Sequence, residues 1–112
     1  MPYLPDNPDA AVLDLLKTFD AHPGQERKID FYLYFSSKRK SKQAMAELEC
    51  LGLSVEMIQA EKQWLCLASR VMTPRSNALA GMRRVLEDIA DRLDGNYDGW
   101  ETIVLEERTI AN

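Results

Sequence analysis

The sequence predicts an α+β domain with a single antiparallel sheet, in which one helix follows the first strand and another follows the third. Two observations support this class. Short segments alternate apolar and polar side chains, as half-buried strands do, and longer segments repeat apolar residues at helical spacing. The length of 112 residues is typical of one domain, so we expect a single domain over 1–112 with flexible ends at 1–6 and 106–112.

The first predicted element is an extra N-terminal helix that ends before Pro23. Asn7 is a suitable N-cap, and Pro8 suits the first helical position because a donor there would have no partner within the helix. The apolar residues that recur at helical spacing in this segment are Val12, Leu15, Leu16 and Phe19.

The first strand is predicted over 28–35, where the apolar spacing changes to two. Tyr32 and Tyr34 lie on one face of this strand. The opposite face carries Ile29, Phe31, Leu33 and Phe35.

A second helix follows, with Ser36 or Ser37 as its N-cap and Gly52 at its end. Its apolar residues are Ala44, Met45, Leu48 and Leu51. Beyond Gly52, alternation predicts a short second strand that carries Leu53, Val55 and Met57.

A polar turn over 60–63 leads to a third strand over 64–72, and Thr73-Pro74 opens the longest helix. The apolar stripe of that helix consists of Leu79, Met82, Leu86, Ile89 and Leu93. Gly95 is its predicted stop.

The residues 96–100 are predicted to form a loop that leads to the last strand over 102–105. After the N-terminal helix the order is therefore β-α-β-β-α-β. With right-handed crossovers this order predicts a ferredoxin-like fold, a four-stranded antiparallel sheet with two helices on one face.

The amino-acid composition disfavours several classes of function. The net charge of −4 disfavours a protein that tracks a phosphate backbone with its whole surface. His22 is the single histidine, and the carboxylates of the last helix alternate with arginines as on a solvated face, so we expect no catalytic site, no metal and no cofactor. No apolar run is long enough to cross a bilayer, and Cys50 and Cys66 lack redox or metal spacing, so we expect a cytoplasmic protein.

A basic cluster is the first candidate binding feature. It consists of Lys38, Arg39, Lys40 and Lys42, in the first turns of the second helix, where the helix dipole disfavours cations. Outside it, 10 of the 14 Lys and Arg remain against 18 Asp and Glu. The cluster is either a solvated face or a site for an anionic group of a partner.

Aromatic residues of the sheet are the second candidate. Tyr32, Tyr34, Trp64 and Cys66 are expected to share the sheet face opposite the two crossover helices, because both strands are central in this fold. This face is either a partner surface or is covered by the N-terminal helix or a second copy of the protein.

The dipeptide Asp98-Gly99 is a strong turn signal, and Trp100 follows it at the start of the predicted last strand. Trp100 can cover the core or contact a partner. Asp98 and Trp100 are therefore also candidate partner-binding residues.

Three segments, IDFYLYF (29–35), WLCLASRVMTP (64–74) and YDGWE (97–101), together resemble the ribonuclease E inhibitor B family, also called regulator of ribonuclease E activity B. The resemblance extends roughly from Asp9 to Val104. It implies a ferredoxin-like domain without a cofactor that contacts the non-catalytic part of bacterial ribonuclease E and alters RNA degradation.

The leading hypothesis is thus a non-catalytic, protein-binding regulator of RNA turnover. One alternative is a nucleic-acid-binding domain that uses the open sheet face, although Asp30 on that face and the missing basic-aromatic signature disfavour RNA binding. Another alternative is a small-ligand-binding dimer of ferredoxin-like type. The sequence leaves open whether the protein forms a homodimer.

Overall fold

The computed structural model describes residues 25–102, which form four strands and two helices. The strands are β1 (Arg27–Phe35), β2 (Ser54–Ala60), β3 (Gln63–Met72) and β4 (Asn96–Thr102). The helices are α1 (Lys38–Cys50), between β1 and β2, and α2 (Ser76–Arg92), between β3 and β4. This confirms the β-α-β-β-α-β order. The predicted N-terminal helix, with Val12 and Phe19, and residues 103–105 of the predicted last strand lie outside the described residues.

The four strands form one antiparallel sheet in the order β2-β3-β1-β4. β1 and β3 are therefore the central strands, as expected. They pair without irregularity from Arg27 opposite Met72 to Phe35 opposite Trp64. β2 and β4 form the two edges of this sheet.

The core lies between the sheet and the two helices. β1 supplies its inward face, where the four alternating apolar residues are at most 1% exposed: Ile29, Phe31, Leu33 and Phe35. α1 contributes Ala44 and Leu48, and α2 contributes Leu79, Leu86 and Ile89. Both helices therefore pack on the same face of the sheet, which confirms the predicted apolar stripe of α2.

α1 begins and ends through local hydrogen bonds that its sequence predicts. The Ser37 hydroxyl accepts a hydrogen bond from the Lys40 backbone N–H at 3.2 Å. At the other end Gly52 takes a φ of 91°, and the Leu53 N–H donates to the Leu48 carbonyl at 3.1 Å. A glycine in this left-handed conformation ends many helices because it has no Cβ to clash.

At the end of α2, a residue other than the predicted stop Gly95 takes the left-handed conformation. Asp94 does so, with a φ of 56°, and the Gly95 N–H donates to the Ala90 carbonyl at 2.7 Å. Gly95 is needed for another reason. A Cβ at that position would lie 2.6 Å from the Tyr34 carbonyl oxygen and closer still to the Phe35 ring.

The predicted loop over 96–100 is wrong, because these residues form most of β4. The strand contains a bulge. Phe31 pairs with Trp100 but Leu33 pairs with Tyr97, so β4 has one residue more than β1 between these two pairs. Gly99 lies in the bulge with a φ of 96°, which explains why the Asp98-Gly99 dipeptide resembles a turn.

Candidate interaction surface

The sheet face away from the helices carries a strip of aromatic and apolar side chains. Tyr32 lies opposite Leu67 and Tyr34 opposite Leu65 in the β1–β3 pairing, and directly opposed residues share a face. We call these four residues the aromatic face. Leu65 is buried, and the other three side chains are partly exposed.

The prediction that Trp64 and Cys66 join the two tyrosines is wrong. The register sets Trp64 opposite Phe35 and Cys66 opposite Leu33, so both lie on the helix side. The error has a simple physical origin. Alternation within a strand shows which residues share a face with one another, but only the register between strands shows which face that is.

Cys66 is part of the core. Its Sγ lies 3.1 Å from the Ser41 hydroxyl of α1, and both residues are fully buried. Burial raises the pKa of the Cys66 thiol, although the hydrogen bond with Ser41 opposes this. The thiol is therefore a packing group, whereas Cys50 is exposed.

Three carboxylates flank the Tyr32 end of the aromatic face. Asp30, on the same side of β1, accepts a hydrogen bond from the Ser69 hydroxyl at 2.8 Å and lies 3.8 Å from the Lys28 ammonium. Glu101 lies opposite Asp30 on β4, and Glu56 lies opposite Leu67 on β2. This arrangement gives the aromatic face an acidic border.

Tyr32 is hydrogen-bonded to one of these carboxylates. Its hydroxyl donates a hydrogen bond to the Glu101 carboxylate, and this bond, with smaller contributions from burial and the charges of Glu101 and Asp30, raises the pKa of Tyr32. Sequence reasoning did not identify Glu101, Glu56, Leu65 or Leu67 as members of this surface. Their spacing from the tyrosines along the chain contains no signal, because only strand pairing brings them together.

The basic cluster at the start of α1 does not act as one group. Lys38 lies over the Trp64 ring, with its Nζ 5.5 Å from the ring centroid, a cation–π contact. Lys40 is bound to Asp94 beyond the end of α2, with 2.5 Å between Nζ and Oδ2, and this contact lowers the pKa of the Asp94 carboxyl. Arg39 and Lys42 are exposed and contact no charged partner among residues 25–102.

The two candidate partner-binding residues in β4, Trp100 and Asp98, also lie in different environments. Trp100 is 9% exposed and belongs to the core, because its partner Phe31 lies on the helix face. Without the bulge, Tyr97 and Trp100 would lie on opposite faces, so the extra residue allows both rings to face the helices. Asp98 is exposed in the bulge.

A second apolar region lies on the outer side of the helices. Leu51 and Val85 are 43% and 40% exposed and line a groove of about 440 Å³ between α1 and α2. The Arg92 guanidinium closes one side of this groove through hydrogen bonds with Glu47 at 2.7 Å and Asp88 at 2.9 Å.

Within the described range, no group of three or more His, Cys, Asp or Glu side chains could hold a metal ion. His22 lies outside that range. None of the described helices is both long and apolar enough to span a membrane.

Comparison with known proteins identifies the family of this chain. A search of the curated proteins finds no match to this chain. The family model described as regulator of ribonuclease activity B matches residues 6–102, which covers all of the described sheet and both helices. A match over most of the chain establishes the family, so the chain belongs to the regulator of ribonuclease activity B family.

Proposed function

We propose that this protein is a non-catalytic regulator that binds the non-catalytic region of a ribonuclease E-type enzyme and lowers its RNA-cleaving activity. The observation that carries the proposal is the family match over residues 6–102. The proposed site of action is the cytoplasm, where such an enzyme meets its RNA substrates. No cofactor enters the proposal.

The aromatic face is the proposed contact surface. Tyrosines are enriched where proteins bind proteins, because the ring buries much apolar area and loses little conformational entropy on binding. Tyr32 and Tyr34 are partly exposed on β1, one of the two central strands of the sheet. The acidic border of Asp30, Glu56 and Glu101 favours a partner segment that carries basic side chains beside apolar ones.

The same border argues against direct RNA binding through this face. An RNA-binding sheet needs basic residues to neutralise phosphates around its aromatic residues. Here the charged groups that act on Tyr32 are the Glu101 and Asp30 carboxylates, and the Lys28 ammonium lies 3.8 Å from Asp30. Protein contact is therefore favoured over the nucleic-acid alternative.

A second, electrostatic contact is proposed at the start of α1. Arg39 and Lys42 are its principal groups, because Lys40 is held by Asp94 and Lys38 by the Trp64 ring. Asp98, exposed at the bulge, is proposed at the margin of the aromatic face. Trp64 and Trp100 support these surfaces from the helix side.

The strand order supports assignment of the domain to the ferredoxin-like class. The β-α-β-β-α-β chain order, β1 and β3 at the centre, and one layer of two helices are the features of that class. The fold class alone does not indicate a function, because ferredoxin-like domains perform many different functions.

The test is a cleavage assay with a ribonuclease E-type enzyme and one RNA substrate, with and without the full chain. We expect cleavage to slow as the protein is added, and to recover when the non-catalytic fragment of the enzyme is supplied as a competitor. Unchanged cleavage at about 50 µM protein, on the weak side of specific complexes, contradicts the proposal.

Two controls separate the alternatives. Titration with a short single-stranded RNA should show no binding. Tight binding that weakens steeply with salt would support the nucleic-acid alternative instead. The protein without the enzyme should release no product from the RNA, and turnover that a point mutation abolishes would show that it is a nuclease.

A further inference from the structure

The two edges of the sheet differ in how well they can accept a further strand. Within residues 25–102, β2 pairs only with β3 and β4 only with β1. β4 is interrupted by its bulge and exposes Asp98 and Glu101. Bulges and edge charges are the features by which proteins prevent strands from pairing edge to edge, so β4 is a protected edge.

β2 has little of this protection. All seven of its residues pair with β3 in an unbroken register, and the strand contains neither proline nor glycine. Its one charged residue is Glu56, and Ile58 is 39% exposed. A flat edge of this kind is suited to main-chain hydrogen bonding with another strand.

We propose that β2 pairs with β2 of a second copy of this chain, antiparallel and about a two-fold axis through Met57. The two four-stranded sheets would then join into one continuous sheet. An axis perpendicular to the sheet keeps the helices of both copies on the same side, so every residue must oppose a residue of its own sheet face. This restricts the pairing to registers centred on a residue.

Among these registers, the one centred on Met57 aligns the whole strand. It sets Glu56 opposite Ile58, and Val55 opposite Gln59, with Ser54 and Ala60 at the ends. A register centred on Glu56 would oppose two identical carboxylates, which destabilises a strand pair. A register centred on Ile58 would pair five residues rather than seven.

The charges of α1 favour the same antiparallel arrangement. α1 packs over β2 and β3, so joining the two β2 edges brings the α1 helices of both copies to neighbouring positions, running in opposite directions. All four bases of α1 lie in its first five positions, and its two acids, Glu47 and Glu49, lie in its last four. The basic end of each helix therefore faces the acidic end of the other. This charge complementarity is the reason for proposing a second copy as the occupant.

The test measures self-association of the full chain by sedimentation velocity up to about 500 µM, a range that covers weak dimers. Ile58→Glu and Ile58→Lys form a matched pair at one exposed position. In the proposed register residue 58 faces Glu56 of the other copy, twice per dimer. The glutamate should weaken the dimer and the lysine should strengthen it, each by about two- to thirtyfold, the sum of two cross-strand charge pairs.

The double variant Glu56→Lys/Ile58→Glu should restore association, because each pair is then again of opposite charge. Circular dichroism checks that the variants fold. Equal effects of the lysine and the glutamate at position 58 overturn the proposed register. If both the native chain and Ile58→Lys are monomeric at every concentration, the proposed dimer is wrong. The β2 edge would then be available to an extended segment of another protein.

Discussion

The two faces of the central strand β1 differ although their residues alternate along one segment of chain. Ile29, Phe31 and Leu33 are fully buried under the helices, whereas Tyr32 and Tyr34, between and beside them, remain partly exposed among carboxylates. The buried apolar residues determine the stability of the fold. The fold alone does not require tyrosine at the two partly exposed positions. Mutations on the two faces should therefore have different effects, and this difference can be measured.

The largest expected effect comes from the helix-covered face. Leu86 of α2 is fully buried in the core. Leu86→Ala should lower the free energy of unfolding by about 2–5 kcal/mol, through lost burial and the cavity that remains. Chemical denaturation monitored by circular dichroism measures it. An unchanged midpoint would show that α2 does not pack as described.

The next effect tests the close approach of β4 to β1. Gly95→Ala places a methyl group against the Phe35 ring and the Tyr34 carbonyl, and should destabilise the protein by about 1–3 kcal/mol, as overpacking does.

Gly81→Ala is the matched control for this substitution. A Cβ at Gly81, inside α2, meets no atom within 4 Å, so alanine should stabilise the protein by about 0.5–1 kcal/mol through its higher helix propensity. If the two substitutions shift the unfolding midpoint in the same direction, the close approach at Gly95 is not what constrains that position.

The smallest effect concerns the aromatic face and appears at high pH. Because the pKa of folded Tyr32 lies above its ordinary value, folding favours the neutral phenol. This contribution is complete below about pH 10 and is lost as the pH rises through the folded-state pKa. Tyr32→Phe should therefore lose less stability than the native chain as the pH rises above about 10.

Absorbance at the phenolate band gives an independent measurement. In the folded native chain one tyrosine should ionise at a higher pH than expected for an exposed side chain, and Tyr32→Phe should lack this component. The same titration curve for both proteins, apart from one tyrosine of ordinary pKa, would contradict the hydrogen bond to Glu101.

The sequence predicted the elements and their order because each rests on local patterns. Ser37 and Gly52 bound α1 by capping, and the spacing of Leu79, Leu86 and Ile89 identifies the buried side of α2. The candidate interaction surface was predicted less well, because its composition depends on which residues of neighbouring strands pair. Trp64 was assigned to the wrong face, and Glu101 reaches Tyr32 only through the β1–β4 pairing.

The start of β4 shows a second limit. Asp98-Gly99 has the composition of a turn, and a bulge with a glycine at positive φ uses the same residues for the same steric reason. Local sequence does not distinguish the two. The segment is a bulged strand rather than a turn because it pairs with β1 on both sides of the bulge.

The most direct test of the account is a binding titration of the non-catalytic fragment of a ribonuclease E-type enzyme with three proteins: the native chain, Tyr34→Ala and Val85→Ala. Val85, in the groove between the helices, is 40% exposed and serves as the control on the other side of the molecule. We predict that Tyr34→Ala weakens binding by about tenfold or more, while Val85→Ala leaves it unchanged. Equal affinities for all three proteins, or a loss confined to Val85→Ala, would contradict the assignment of binding to the aromatic face.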